Sequence, residues 1–374
     1  MSIIILIAVI IVAALIETAI YDKHWADGLR VRIGFGSNKA VEGGSTELVE
    51  VIEHSGRLPL PWLTVKFQAS RDLIMPDSSN ASVTDYYYRE DIFAVSPGKK
   101  ITRRLPIKCA RRGLQSVRSF DLITNDIFLV RRYIKNYAGS SQLVVYPRPV
   151  DISELSFEAR RIMGDYVVKR SLLEDVFVFR GIREYMEGDS LNKINWRATA
   201  KNDKLVINQH EATTSLSATI FLDVDSAFCN INEMLIEESI SIAASIANDF
   251  IASGIPVGLV CNGRDCVTGE ETMISSGCSP QHADSISTAL ARLDIQKGTR
   301  RLHEITDIIS AEPQMFAVII SSDTSRKQIE FVKKMLMDSG EALWVIPVPC
   351  DERVPLDVIS AVPNHYVWRV NNDR

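Results

Sequence analysis

At 374 residues, 46% hydrophobic and 24% charged, the chain has ordinary globular composition with length for two or three cored domains, which excludes a disordered or fibrous protein. The net charge of -5 is unevenly spread: 20 Lys+Arg stand against 14 Asp+Glu over residues 1–150, 10 against 11 over 151–215, and 12 against 22 over 216–374. A basic front suits an anionic lipid surface, while the acidic back argues against nucleic acid as that region's partner.

Residues 3–16, IIILIAVIIVAALI, carry no charge and no helix breaker, and TAIY after Glu17 extends the apolar stretch to Tyr21. That length is near the minimum for a spanning helix. With no basic start and no small-residue cleavage pattern, residues 1–21 read as a retained transmembrane anchor. Lys23, Arg30, Arg32 and Lys39 follow it, so the positive-inside bias places the soluble part in the cytoplasm, as a single-pass protein of the inner membrane. Glu17 reads as a residue that snorkels to the interface.

Over residues 28–150 short strand-like runs (TELVEVIE, LTVKFQA, DIFAV, ITRRLPIKC, LQSVRSF, QLVVYPR) are punctuated by GG, SG, PG and RRG. Strands at that spacing without helical periodicity predict an all-β, sandwich-like domain. Residues 151–215 form a mixed connecting segment with one helical stretch. Over 216–374, apolar runs (216–222, 256–261, 315–321, 342–348) alternate with helices near 232–252, 281–293, 301–311 and 325–338; in the first, Ile236, Ile240, Ala243, Ala247 and Ile251 keep helical spacing. Apolar strands alternating with helices predict a parallel sheet covered on both faces, with ligands beyond the strands' carboxyl ends.

Cys109, Cys229, Cys261, Cys266, Cys278 and Cys350 show neither a disulfide framework nor zinc spacing, and fit small core thiols in a reducing compartment. There is no GxxxxGK[ST], HExxH or GxSxG, and the six histidines are dispersed, so the chain is read as no enzyme.

Two constellations remain. At the carboxyl end of strand 216–222 stands Asp223-Val224-Asp225-Ser226-Ala227, a Gly298-Thr299 pair precedes a helix, and Ser322-Asp323 follows strand 315–321. Asp223, Asp225, Thr299 and Asp323 are oxygen ligands of the kind Mg²⁺ or Ca²⁺ takes. The set resembles the metal-ion-dependent adhesion site of von Willebrand factor A domains, which implies a von Willebrand factor A-like (Rossmann-like) α/β fold for this region. The resemblance departs at Asp225, an aspartate where that site has serine, and at Ala227, which lacks a hydroxyl. Asp223 and Asp323 as helix caps are the alternative, and a divalent-ion-dependent hydrolase using Asp223, Asp225 and Asp323 is the alternative activity.

The second constellation runs Arg183-Glu184-Tyr185-Met186-Glu187-Gly188-Asp189, then Ile194-Asn195-Trp196-Arg197-Ala198-Thr199-Ala200-Lys201. Arg183, Glu184, Tyr185, Gly188, Asp189, Ile194, Trp196, Ala200 and Lys201 match the signature of the bacterial and archaeal family called domain of unknown function fifty-eight, which the chain resembles. SGRLPLPWL at 55–63, RRG at 111–113, NDIF at 125–128 and VVYPR at 144–148 are similar too. Read physically, Asp189 caps a helix running to Lys201, with Ile194 and Trp196 buried. Arg183 or Arg197 pairs with Glu184 or stacks on Trp196. An internally satisfied charge network and a phosphate or acidic-partner pocket built from Arg180, Arg183, Arg197 and Lys201 are the two readings of its cations. The resemblance implies a scaffold or adaptor for a MoxR-type AAA+ ATPase, with other von Willebrand factor A-domain proteins as neighbours and a chaperone-like or complex-maturation role.

Overall fold

The computed structural model describes residues 2–76, 80–171, 179–186, 194–202, 204–210, 217–225, 233–295, 300–305, 315–339 and 341–371. It divides the chain into two units, Met1–Arg148 with Ser287–Leu293, and Pro149–Ile286 with Asp294–Arg374.

The first unit opens with helix α1 (Ser2–His24), which is long and apolar enough to cross a membrane. Ten strands follow: β1 (Leu29–Phe35), β2 (Lys39–Val41), β3 (Ser45–His54), β4 (Leu60–Ala69), β5 (Leu73–Ile74), β6 (Ala81–Val83), β7 (Tyr87–Val95), β8 (Lys99–Cys109), β9 (Gly113–Asn125) and β10 (Arg132–Tyr146). They form one sheet in the order β1-β3-β8-β5 and a second in the order β2-β10-β9-β4-β7-β6. Period-two alternation turns Leu48 and Ile52 of β3 inward to share a core with Leu63, Val65 and Phe67 of β4. The expected all-β region is therefore present.

The same alternation puts Glu50 on the buried face of β3, in register with Arg103 of β8. From the other sheet, Asp91 accepts from Arg89 Nε at 2.7 Å and from Arg103 Nη1 at 2.7 Å, both carboxylate and Arg89 being fully buried. Both Glu50 carboxyl oxygens lack a hydrogen-bond partner among the described residues.

The expected anchor ends differently. From Ile3 to Ile16 the side chains of α1 are exposed on nearly every side, but Thr18, Tyr21 and then Trp25 are buried in the β-domain's core region. Tyr21 Oη donates to the Pro59 carbonyl at 2.6 Å, and Tyr133 Oη to that of Thr18 at 3.1 Å. Glu17, read as snorkelling, accepts the N–H of Ile127 at 2.7 Å. The last two turns of α1 belong to the domain.

In the second unit α2 (Ser153–Ser171) precedes a two-stranded ribbon of β11 (Phe179–Glu184) and β12 (Val206–His210), with α3 (Trp196–Asn202) between them. The remaining elements are β13 (Ser217–Leu222), α4 (Glu233–Ala252), β14 (Val257–Asp265), β15 (Glu271–Gly277), α5 (Pro280–Ala291), β16 (Leu293–Asp294), α6 (Leu302–Ile305), β17 (Met315–Ile320), α7 (Arg326–Ser339), β18 (Ala342–Pro349), α8 (Leu356–Ala361) and β19 (His365–Val370), with Ser287–Leu293 of α5 and β16 counted with the first unit. The main sheet runs β15-β14-β13-β17-β18-β19, with β16 also paired to β14; β14, β13, β17, β18 and β19 are parallel, and β15 forms an antiparallel hairpin with β14. β13, β17 and β18 are almost wholly buried, as continuous apolar runs require. Ile236, Ile240, Ala243 and Ala247 of α4 are buried. Strands β15 and β19 and helix α8 are additions to the expected elements.

The free thiols divide: Cys109 and Cys261 are buried, while Cys266, Cys278 and Cys350 are exposed, so the expectation of core thiols holds for two of these five. Cys229 lies outside the described residues.

Candidate functional site

Register builds the site at the strand ends. Leu222 of β13 pairs with Cys261 of β14 on one side and Ile320 of β17 on the other. The next residue on each strand is Asp223, Asn262 and Ser321, so three polar side chains meet one step beyond the apolar run. Asp223 Oδ1 accepts from Asn262 Nδ2 at 2.7 Å and from the Asp225 N–H at 3.1 Å, while Oδ2 accepts from Ser321 Oγ at 2.7 Å. Asn262 Oδ1 in turn takes the N–H of Val224 at 2.8 Å. Asn262 and Ser321 are buried, at 1% and 0% exposure, so Asp223 satisfies donors that have no water to turn to. Burial holds the Asp223 carboxyl above the usual range, and its hydrogen bonds to Ser321, the Asp225 N–H and Asn262 oppose this only in part.

Asp323 joins this network by its backbone, its N–H donating to Ser321 Oγ at 3.1 Å. Its carboxylate turns to Ser325, accepting the N–H at 2.8 Å and the hydroxyl at 3.0 Å just before α7. The residue that caps α7 is Ser325, whose Oγ accepts the N–H of Gln328 at 3.4 Å, so Asp323 braces the cap and is not itself the cap. Asp225 is half-buried, and Thr299, Ser226 and Ala227 lie outside the described residues. Both oxygens of Asp223 and both of Asp323 thus accept protein hydrogen bonds. Among the described residues no group of three or more His, Cys, Asp or Glu is placed to hold a metal ion. A cavity of about 400 Å³ lies elsewhere in this unit, lined by Asp151, Ser153 and Glu154 near the start of α2 and by Tyr366, Trp368 and Arg369 of β19.

The signature forms the ribbon. Ile194 bridges Ile207 and is buried, as expected. Trp196 is not: its indole is 68% exposed. The reason is where the helix begins. Instead of starting at Asp189, α3 starts at Trp196, with Asn195 as its cap: Asn195 Oδ1 accepts the N–H of Ala198 at 2.9 Å. A helix of seven residues has no long apolar face to bury, and its first residue stays outside. Asn195→Ala should cost about 1 kcal/mol, seen as faster amide exchange at Ala198 and Thr199.

Glu184 does not pair with Arg183 or Arg197 as expected; it accepts from Lys204 Nζ at 2.6 Å, and Arg183 Nη1 donates to the Glu184 carbonyl at 3.1 Å. Lys204 stands beyond the signature and comes close only because β12 folds back on β11. Tyr185 is half-buried, Arg197 and Ala200 are exposed, Lys201 lies within α3, and Gly188 and Asp189 lie outside the described residues. Around these charges Ile182, Met186, Trp196 and Leu205 are 43%, 68%, 68% and 45% exposed.

Residues 181–334 match the model of the family described as "Protein of unknown function DUF58", the family that the signature resembles. No curated protein matches the chain. Solved structures similar to part of it include a non-cellulosomal cohesin from the archaeon Archaeoglobus fulgidus, 12% identical, covering 34% of this chain and 96% of that one with a TM-score of 0.22. A cohesin module from a Clostridium perfringens glycoside hydrolase is 7% identical, covering 31% and 97% with a TM-score of 0.22. The sporulation control protein Spo0M from Bacillus subtilis is 9% identical, covering 42% and 58% with a TM-score of 0.19. Likenesses this slight carry no argument.

Proposed function

We propose, from the family match over residues 181–334, that the chain is a membrane-anchored, non-catalytic scaffold or adaptor. It works with a MoxR-type AAA+ ATPase in the assembly or maturation of a protein complex, the soluble units facing the cytoplasm. The observation that supports this reading is Trp196 of the family signature, whose indole is 68% exposed at the start of α3 beside the small ribbon. Tryptophan is among the residues most enriched at the hot spots of protein-binding surfaces. The parallel sheet of the second unit is read as von Willebrand factor A-like, a fold that hosts many functions and so adds no activity by itself. The polar hub at Asp223 supports a structural role, because its carboxyl is committed to Asn262 and Ser321.

The test is co-elution of the detergent-solubilised full chain with a purified MoxR-type ATPase, with and without EDTA. A complex that survives EDTA is the expected result. No complex, together with Mg²⁺- or Ca²⁺-dependent hydrolysis of a phosphodiester substrate lost in Asp223→Ala and Asp323→Ala, would favour the divalent-ion hydrolase.

A further inference from the structure

Between β9 and β10 the chain exposes four consecutive apolar residues, Ile127, Phe128, Leu129 and Val130, at 45%, 52%, 59% and 60%. The turn is firmly built. Asp126, fully buried, accepts the N–H of Val130 at 2.6 Å and that of Arg131 at 3.1 Å. Leu129 takes a φ of +57°, a left-handed conformation that turns ordinarily give to Gly or Asn. An apolar side chain is thus held at the tip against its own backbone preference.

The turn is fixed to α1 at the residue where the exposed apolar run stops. Glu17 takes the N–H of Ile127 at 2.7 Å, and Thr18 Oγ1 donates to Asp126 at 3.1 Å. Ile3 to Ile16 rises roughly 21 Å at helical geometry, about 9 Å short of a ~30 Å hydrocarbon layer. Beyond that run Thr18 and Tyr21 are buried against the β-domain, while Ala19, Ile20 and residues 22–24 stay exposed. A short span is met by drawing its flanks into the interface, and the flank at this level is the turn. Arg131 and Arg132, both exposed, follow it and suit anionic headgroups. Trp62, 44% exposed, lies three residues past Pro59, the hydrogen-bond partner of Tyr21, where an interfacial indole is favoured.

We infer that the Ile127–Val130 turn inserts into the headgroup and upper acyl region of the same bilayer that α1 enters, seating the first unit on the membrane; this rests on α1 being the membrane helix. The test uses the full chain in vesicles of phosphatidylcholine and phosphatidylglycerol, with lipid brominated near the top of the acyl chains as quencher. Phe128→Trp should add blue-shifted emission that bromolipid quenches, as for an indole at the interface. Val83→Trp is the control: Val83 is 54% exposed and pairs with Tyr87, at the end of β4 and β7 away from Leu60 and Val95, and its emission should stay water-like and unquenched. Unquenched emission from Phe128→Trp in vesicles that float with the chain overturns the inference alone, whether the emission is water-like or blue-shifted against protein. A chain that does not float with vesicles overturns the anchor reading and the inference with it.

Discussion

Asp223→Ala should destabilise the second unit by about 3 kcal/mol, because Asn262 Nδ2 and Ser321 Oγ are buried and would lose their acceptor, each at roughly 1–3 kcal/mol. Asp223→Asn keeps one acceptor oxygen for Asn262 or the Asp225 N–H and should cost less, about 1–2 kcal/mol. Exchange of the amides of β13 and β17 reads this unit by itself, which matters because a chain of two units need not melt in one step. The loss should be the same with and without Mg²⁺ or Ca²⁺. If wild-type protein gains protection in about 10 mM ion, in the range of weak calcium modules, and Asp223→Ala abolishes the gain, Asp223 is an ion ligand, and the hub reading fails by linkage.

The second large effect concerns the first unit. Glu50 is buried, and desolvation first, then the neighbouring Asp91, raises its carboxyl from 4.5 to about 7, against the opposing pull of Arg103 and Arg89. A raised pKa means that the folded state holds a proton the unfolded state has released. The stability this gives is therefore fully present below about pH 4.5 and is lost as pH rises through about 7. The whole swing is about 3 kcal/mol at 1.36 kcal/mol per unit. Glu50→Gln, which keeps the shape without the charge, should flatten this part of the profile and make the first unit the more stable of the two proteins at pH 8. Amide exchange of β3 and β8 at pH 5 and pH 8 decides it. Equal profiles for the two proteins would show that Glu50 stays ionised in the fold.

The elements were legible where burial imposes a pattern. Alternation in TELVEVIE and the apolar runs at 216–222 and 315–321 follow directly from one-faced and two-faced burial. Strand β15, ETMISSG, and strand β19, HYVWRV, were not, because edge strands carry mixed side chains that neither periodicity describes. Asp223 and Asp323 stood out in the sequence, whereas Asn262 and Ser321, which complete the network, did not. Their role comes from cross-strand register with Leu222, a long-range property that local spacing does not encode. The misreadings share one cause. Trp196 was expected to be buried as part of a helix running from Asp189, and Glu17 to reach the interface as a residue near the end of the anchor. In each case a neighbouring element set the outcome: Asn195 starts α3 late, and the β9–β10 turn brings an N–H to Glu17.

The central claim, that Trp196 of the signature is a docking residue and not core, is tested most directly by measuring Trp196→Ala twice, for melting temperature and for Kd toward a purified MoxR-type ATPase. An exposed indole predicts a melting temperature within about 2 °C of wild type, as for surface substitutions. Loss of a hot spot predicts a Kd weakened at least roughly tenfold. A stability loss of about 3–5 kcal/mol, the cost of emptying a core tryptophan site, or an unchanged Kd, would contradict it.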